Sequence, residues 1–145
     1  MKIQQIAIFM ENKPGHLRTI CRTLADAGVN IRTLSLADTQ QYGILRILTD
    51  NSDKAKDILS QAGFVVNVTE VLAVEVDDKP GGLLNILDII GEQDINIEYM
   101  YAFTFRSGEN AIMVFRFDNP DKAIKALQDK NIKVIPGIDI LKGGK

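Results

Sequence analysis

The sequence predicts an α+β protein made of two successive βαββαβ units, and three observations lead there. Residues 4–31 return at 70–97 with a constant shift of 66 positions and eight identities in 28 pairs: Ala7/Ala73, Lys13/Lys79, Pro14/Pro80, Gly15/Gly81, Leu17/Leu83, Ile20/Ile86, Asn30/Asn96 and Ile31/Ile97. Composition alone gives roughly two such matches. After a two-residue insertion the shift becomes 68, and Asp50–Asn51 then meets Asp118–Asn119, Ala55 meets Ala123 and Leu59 meets Leu127. Within each copy the apolar pattern passes between strand and helix periods in the same order.

Residues 3–10 and 71–76 alternate or are wholly apolar, which predicts the first strands. Lys-Pro-Gly follows, and then apolar residues at helical spacing: Leu17, Ile20, Cys21 and Leu24 in one copy, Leu83, Ile86, Leu87 and Ile90 in the other. Proline suits a first helical turn, where its missing N–H is no loss. Asn-Ile opens second strands at 31–37 and 97–105, and turns at 39–43 and 107–108 lead to third strands at 44–48 and 112–117. Ser52 or Asp53 is expected to cap the next helix, and Asn119-Pro120-Asp121 opens its counterpart. Their inner faces would be Ala55, Ile58, Leu59 and Ala62, then Ala123, Ile124 and Leu127. Closing strands are expected at 64–68 and, more weakly, within 133–141, where Pro136-Gly137 interrupts the run. Right-handed crossovers put both helices of a copy on one face of a four-stranded antiparallel sheet, a ferredoxin-like unit. The expected domains are 1–69 and 70–145, with almost no linker at 68–71. Units this small are marginal alone, so the two are expected to pack side by side.

The 145 residues carry a formal charge of −2, 46% hydrophobic content and 25% charged residues of both signs. That mixture excludes a disordered chain. A pI near 5.4 argues against a dedicated nucleic-acid binder. Cys21 is alone, which excludes a disulfide framework or a thiol metal cluster and suggests a reducing compartment. The first residues carry too short an apolar run for a secretory signal, and no stretch is long enough to span a membrane. The expectation is a cytoplasmic protein with no membrane, metal or cofactor in its function.

The pattern strand–(Asn/Asp)-Lys-Pro-Gly-x-Leu-x-x-Ile–helix–x-(Val/Ile)-Asn-Ile–strand stands here twice, as NKPGHLRTI…GVNI and DKPGGLLNI…DINI. It resembles the ACT domain, a regulatory amino-acid-binding module, and the resemblance covers residues 3–68 and 70–141. The resemblance implies ferredoxin-like copies that associate side by side, often as one continuous sheet. It also implies effector sites between copies, where the first loop of one meets the start of the second strand of the other.

The residues suit that ligand. A Gly-rich turn leading into a helix offers backbone N–H groups and the positive end of the helix dipole to a carboxylate. Gly15 and Gly81 allow close approach, and His16, Leu17, Gly82 and Leu83 supply further amides. Asn12 and Asp78 can accept from an ammonium group. Pairing across copies predicts two pockets: Asn12, Gly15, His16 and Leu17 with Asn96, and Asp78, Gly81, Gly82 and Leu83 with Asn30. They are expected to differ in affinity or ligand, because His16 stands against Gly82 and Asn12 against Asp78.

Plainer readings stand beside these. Lys-Pro-Gly alone is equally well a tight strand-to-helix turn. Asn30 and Asn96 are also read as helix stops, His16 as a solvated surface residue and Cys21 as a small core residue. Tyr99, Tyr101, Phe103 and Phe105 form a period-two stripe, read first as core packing. The other readings of that stripe are a stacking platform or a contact with a second protomer, which would make a homodimer. One histidine and one cysteine give no nucleophile–base pair at a recognisable spacing, so no enzyme is expected. An RNA-binding reading shares the element order but lacks aromatics on the first strands beyond Phe9 and lacks a basic surface. Two functions remain: a sensor or regulator that binds a free amino acid between its two domains, and a protein–protein interaction module with vestigial ligand sites. The identity of the amino acid and of any regulated protein partner is not legible.

Overall fold

Strand β1 (Ile3–Glu11) turns Ile6, Ile8 and Met10 to one face, as the period of two requires. Helix α1 (His16–Asp26) lays Ile20 and Leu24 on that face, four residues apart. Strands β2 (Ile31–Asp38) and β3 (Tyr42–Thr49) pair antiparallel, and β3 pairs β1 with Ile6 opposite Ile47 and Ile8 opposite Leu45. Helix α2 (Ser52–Gln61) returns over the same core through Ala55 and Leu59. Strand β4 (Val65–Asp77) leads into the second copy: α3 (Gly82–Glu92), β5 (Ile97–Ala102), β6 (Asn110–Phe117), α4 (Pro120–Asp129), the two-residue β7 (Val134–Ile135) and α5 (Gly137–Leu141).

This computed structural model describes all residues except 12, 39–40, 104–109 and 142–145, with only the backbone described at 38 and 140. The chain groups into two units, one of residues Gln4–Thr69 with Leu141, the other of Glu70–Ile140 with Met1–Ile3. Strands run β2-β3-β1-β4 in the first and β5-β6-β4-β7 in the second, the ferredoxin-like order in both, and every described pairing is antiparallel. Each unit has its own core under its helices. Ile6, Ile8, Leu45 and Ile47 meet Ile20, Leu24, Ala55 and Leu59 in the first. Leu72, Val74, Phe115 and Phe117 meet Ile86, Ile90, Ala123 and Leu127 in the second.

Several elements differ from expectation. The expected strands at 64–68 and 71–76 are one strand of 13 residues, because the intervening Asn67-Val68-Thr69-Glu70 run offers no turn residue pair to break it. Asn51 caps α2, its side chain accepting from the Lys54 N–H at 3.2 Å, in place of Ser52 or Asp53. Asn119 does the same for α4 with Lys122 at 3.1 Å. The inner face of α3 is Ile86, Ile89 and Ile90, whereas Leu83 and Leu87 stay exposed. Ala62 and Cys21 also sit outside the deep core, the first exposed and the second half-buried. The expected last strand shrinks to Val134–Ile135, since Pro136 carries no N–H for a ladder and α5 begins directly after it.

Tyr99 and Tyr101 of the aromatic stripe are not packed under the helices. A register shift between Ile97 and Tyr99 leaves Ile97 and Met100 on the helix-covered face. Tyr99 and Tyr101, of opposite parity to Met100, therefore lie on the helix-free face and are half-buried. Phe103 is buried, and Phe105 lies outside the described residues.

The repeat also shows how each copy stops its first helix. Gly28 follows α1 at φ 75°, and its counterpart after α3 is Asp94 at φ 55°. A Cβ in this left-handed region is strained, though less for aspartate than for most residues. Asp94→Gly should therefore raise stability by roughly 0.5–1 kcal/mol. Urea denaturation reads this as a higher midpoint at unchanged slope.

Candidate functional site

Two strand-to-helix turns carry the predicted site residues. In each, a glycine in the left-handed region precedes the helix: Gly15 at φ 89° and Gly81 at φ 86°. The turns are closed by the same hydrogen bond, His16 N–H to the Lys13 carbonyl at 3.3 Å and Gly82 N–H to the Lys79 carbonyl at 3.0 Å. Neither α1 nor α3 has a capping side chain or an acidic residue in its first turn. Helices α2 and α4 have both, with Asn51 and Asp53 in one and Asn119 and Asp121 in the other. Apart from the His16 and Gly82 amides that close the turns, the helix openings have no acceptor from an N-cap side chain, and no first-turn acid stands at the positive ends of their dipoles.

The two turns differ in detail. Gly82 is buried, and a Cβ there would run into the carbonyl oxygen of Asp77. In the first turn the corresponding Glu11 carbonyl accepts instead from Lys13 N–H at 2.9 Å, and His16 is accommodated half-buried. Leu17 packs against its core, whereas Leu83 remains exposed. Asp78 is exposed beside its turn, and Asn12 lies outside the described residues. Glu11 and Lys13 form an ion pair of 2.7 Å, and the counterparts Asp77 and Lys79 form a longer one of 3.7 Å. The hydrogen bond and charge of Lys13 hold the Glu11 carboxyl below its ordinary range, and Glu11 raises Lys13 in return.

Asn30 and Asn96 hold equivalent places. In each case the backbone is clasped by an aspartate: Asn30 N–H donates to Asp50 Oδ1 at 2.9 Å, and Asp50 N–H donates to the Asn30 carbonyl at 3.1 Å. The Asn96–Asp118 pair repeats this at 3.0 and 3.1 Å. Both asparagines are exposed. The helix stops themselves are Gly28 and Asp94, so the asparagines are not what ends the helices. Within a unit the structure brings Gly15, His16 and Leu17 together, and likewise Asp78, Gly81, Gly82 and Leu83. It keeps each asparagine at the far end of an 11-residue helix, about 16 Å from its own unit's turn.

A cleft of about 430 Å³ opens beside the second turn, lined by Val76, Asp78, Pro80, Leu83, Ala111 and Met113 among others. The cleft beside the first turn, about 400 Å³, is lined by Glu11, Lys13, Gln41 and Tyr42. Sequence reasoning missed Val76, Ala111 and Met113, because strand residues were read as core alone. The register pairs Val76 with Ala111 and Val74 with Met113, which puts all three on the helix-covered face. Among the described residues no group of three or more His, Cys, Asp or Glu could hold a metal ion. No helix is long and apolar enough to cross a membrane.

Fold and turns together define a tandem of ferredoxin-like βαββαβ domains. The family described as an ACT domain pair matches residues 1–142, and the chain belongs to it. It is similar to a protein of Bacteroides thetaiotaomicron at 34% identity, over 98% of this chain and 97% of that one, with a TM-score of 0.91. The regulatory subunit of aspartate kinase from Thermus thermophilus, in its ligand-free form, is 14% identical over 87% of this chain and 91% of that one, with a TM-score of 0.63. The corresponding subunit from Thermus flavus is also 14% identical, over 87% and 90%, with a TM-score of 0.59. These two share the fold. No curated protein matches the chain.

Two outcomes follow from the turn geometry. Gly82→Ala should lose about 1–3 kcal/mol of stability by overpacking against the Asp77 carbonyl. His16→Ala, at the equivalent half-buried place, should stay within about 0.5 kcal/mol of the parent; paired urea melts compare them. Because the folded Glu11 carboxyl is depressed, its ion pair acts above the usual carboxylate range and is lost as pH falls through the lowered value. An NMR titration should place Glu11 below an ordinary glutamate, and Lys13→Ala should bring it back.

Proposed function

We propose that this chain is a non-catalytic regulatory protein that binds a free amino acid between its two ACT domains. The turns opening α1 or α3 receive the ligand carboxylate, through Gly15 and Leu17 in the first and Gly81 and Leu83 in the second, with the His16 and Gly82 amides holding the turns closed beside it. Asn12 or Asp78 accepts from the ammonium group. Asn96 serves the first turn and Asn30 the second, each domain lending its asparagine to the other. The observation that carries this reading is the contrast between the helices: α2 and α4 are capped by their own asparagines, while α1 and α3 carry neither cap nor acid. A helix start with glycine at the N-cap and no acid in its first turn, in both copies, is suited to an external anion.

The regulatory output would pass to a second protein or through a homodimer. A ligand acts in this way only by binding one arrangement of the protein more tightly than another. A thermal-shift panel of the twenty amino acids at millimolar concentration tests the proposal, with mass spectrometry for any ligand that co-purifies. Stabilisation by mass action should raise the melting temperature for at least one amino acid, since a ligand at 100 times its Kd adds about 2.7 kcal/mol. A flat panel would defeat the sensor reading and favour the interaction module with vestigial sites.

A further inference from the structure

The clefts beside the two turns share the Glu11/Asp77 and Lys13/Lys79 places of the repeat, but Val76, Leu83, Ala111 and Met113 line the second, and their counterparts are not among the described residues lining the first. Val76, Ala111, Met113, Ala102 and Leu83 of the second copy stand where Met10, Gly43, Leu45, Leu36 and Leu17 stand in the first. The strand registers agree: Leu36 pairs with Leu45, and Ala102 with Met113. In the first copy a methyl placed on Gly43 would touch the Leu36 Cδ1 and the Met10 Cγ, each at 3.5 Å, so both side chains flank that glycine, Met10 buried and Leu36 46% exposed. Leu45 is fully buried and Leu17 packs against the core beneath. Among the described residues, Glu11, Lys13, Gln41 and Tyr42 line the cleft beside the first turn.

In the second copy both flanking side chains are cut back, methionine to valine at 76 and leucine to alanine at 102. The single methyl gained at Ala111 does not replace them. Leu83 is 37% exposed, and Met113 is only half-buried. The result is an apolar recess whose mouth carries Asp78 and the Asp77–Lys79 pair, a few residues ahead of the uncapped start of α3.

We infer that this recess in the second domain receives the side chain of the bound amino acid and selects an apolar one. The inference rests on the reading of the second turn as the receptor for the ligand's carboxylate and ammonium groups. With those groups held at the turn, the side chain enters between Val76, Leu83, Ala111 and Met113. An apolar side chain gains from leaving water there, whereas a charged one that passes the Asp77, Asp78 and Lys79 mouth loses hydration against four apolar side chains. In the first domain the larger Met10 and Leu36 stand at the corresponding places.

Isothermal titration of the full chain with L-leucine, L-methionine, L-phenylalanine, L-aspartate, L-lysine and L-serine tests the inference. The apolar amino acids should bind at one per chain. Leu83→Asp, a change at an exposed position that leaves the fold intact, should weaken them at least tenfold. The double substitution Val76→Met/Ala102→Leu, which copies the first domain's residues at those places, should do the same. Tyr42→Ser in the first cleft should leave their affinity within twofold. Binding confined to charged or polar amino acids would overturn the inference while leaving the sensor function standing. Apolar binding unchanged in Leu83→Asp would overturn the placement. Failure of every amino acid in the wider panel would remove the sensor function and the inference with it.

Discussion

A left-handed glycine set immediately before α1, and again before α3, is the constraint on which the rest of the structure depends. At φ near 90° the chain reverses between strand and helix within a few residues, a conformation that a Cβ would oppose. Proline one residue earlier fixes its own φ and removes a donor. The combination leaves the N-cap position itself with no side chain to offer. Helices α2 and α4 begin after an extended asparagine and cap themselves. The same fold thus contains two kinds of helix start, and only the kind preceded by Lys-Pro-Gly is left unsatisfied by the helix itself.

Duplication explains much of the fold, and divergence within it explains the site. Both copies keep the aspartate clasp on the asparagine backbone, with distances that agree within 0.1 Å. Both keep a left-handed residue after the first helix, glycine in one and aspartate in the other. What changes is volume at the open end of the sheet and the residue after the capping glycine. Gly82 admits the Asp77 carbonyl against the start of α3, where His16 in the first copy does not allow an equivalent contact. Such changes leave the backbone path alone and alter which surfaces a small molecule meets.

The element order, the core-bearing strands and both glycine turns were legible in the sequence, because each rests on local periodicity or on a residue with one conformational role. The repeat held further information that went unread. Asn51 aligns with Asn119, and the helix opening read at Asn119-Pro120-Asp121 therefore pointed to Asn51. The inner face of α3 was ambiguous because the helix is apolar on more than one side, and packing chose Ile89 over Leu87. The fate of the tyrosines was hidden by a register shift, which no periodicity reveals in advance. The fusion of two expected strands into β4 was hidden for a related reason. A missing turn signal is weaker evidence than a present one.

The division of labour at the asparagines follows from the same economy. Asp50 and Asp118 occupy the backbone N–H and bond back to the carbonyl of Asn30 and Asn96, so the start of β2 and of β5 is fixed without using either carboxamide. A side chain spared from structural work offers a donor and an acceptor together, which is what a zwitterion needs from a single residue. Under the sensor reading, a ligand held by a turn from one domain and an asparagine from the other would have contacts that exist in only one arrangement of the pair. Its binding free energy would then act on that arrangement in full, up to the difference in affinity between the two states. An apolar recess in one domain alone would give that switch a single ligand class to answer to, instead of two competing ones.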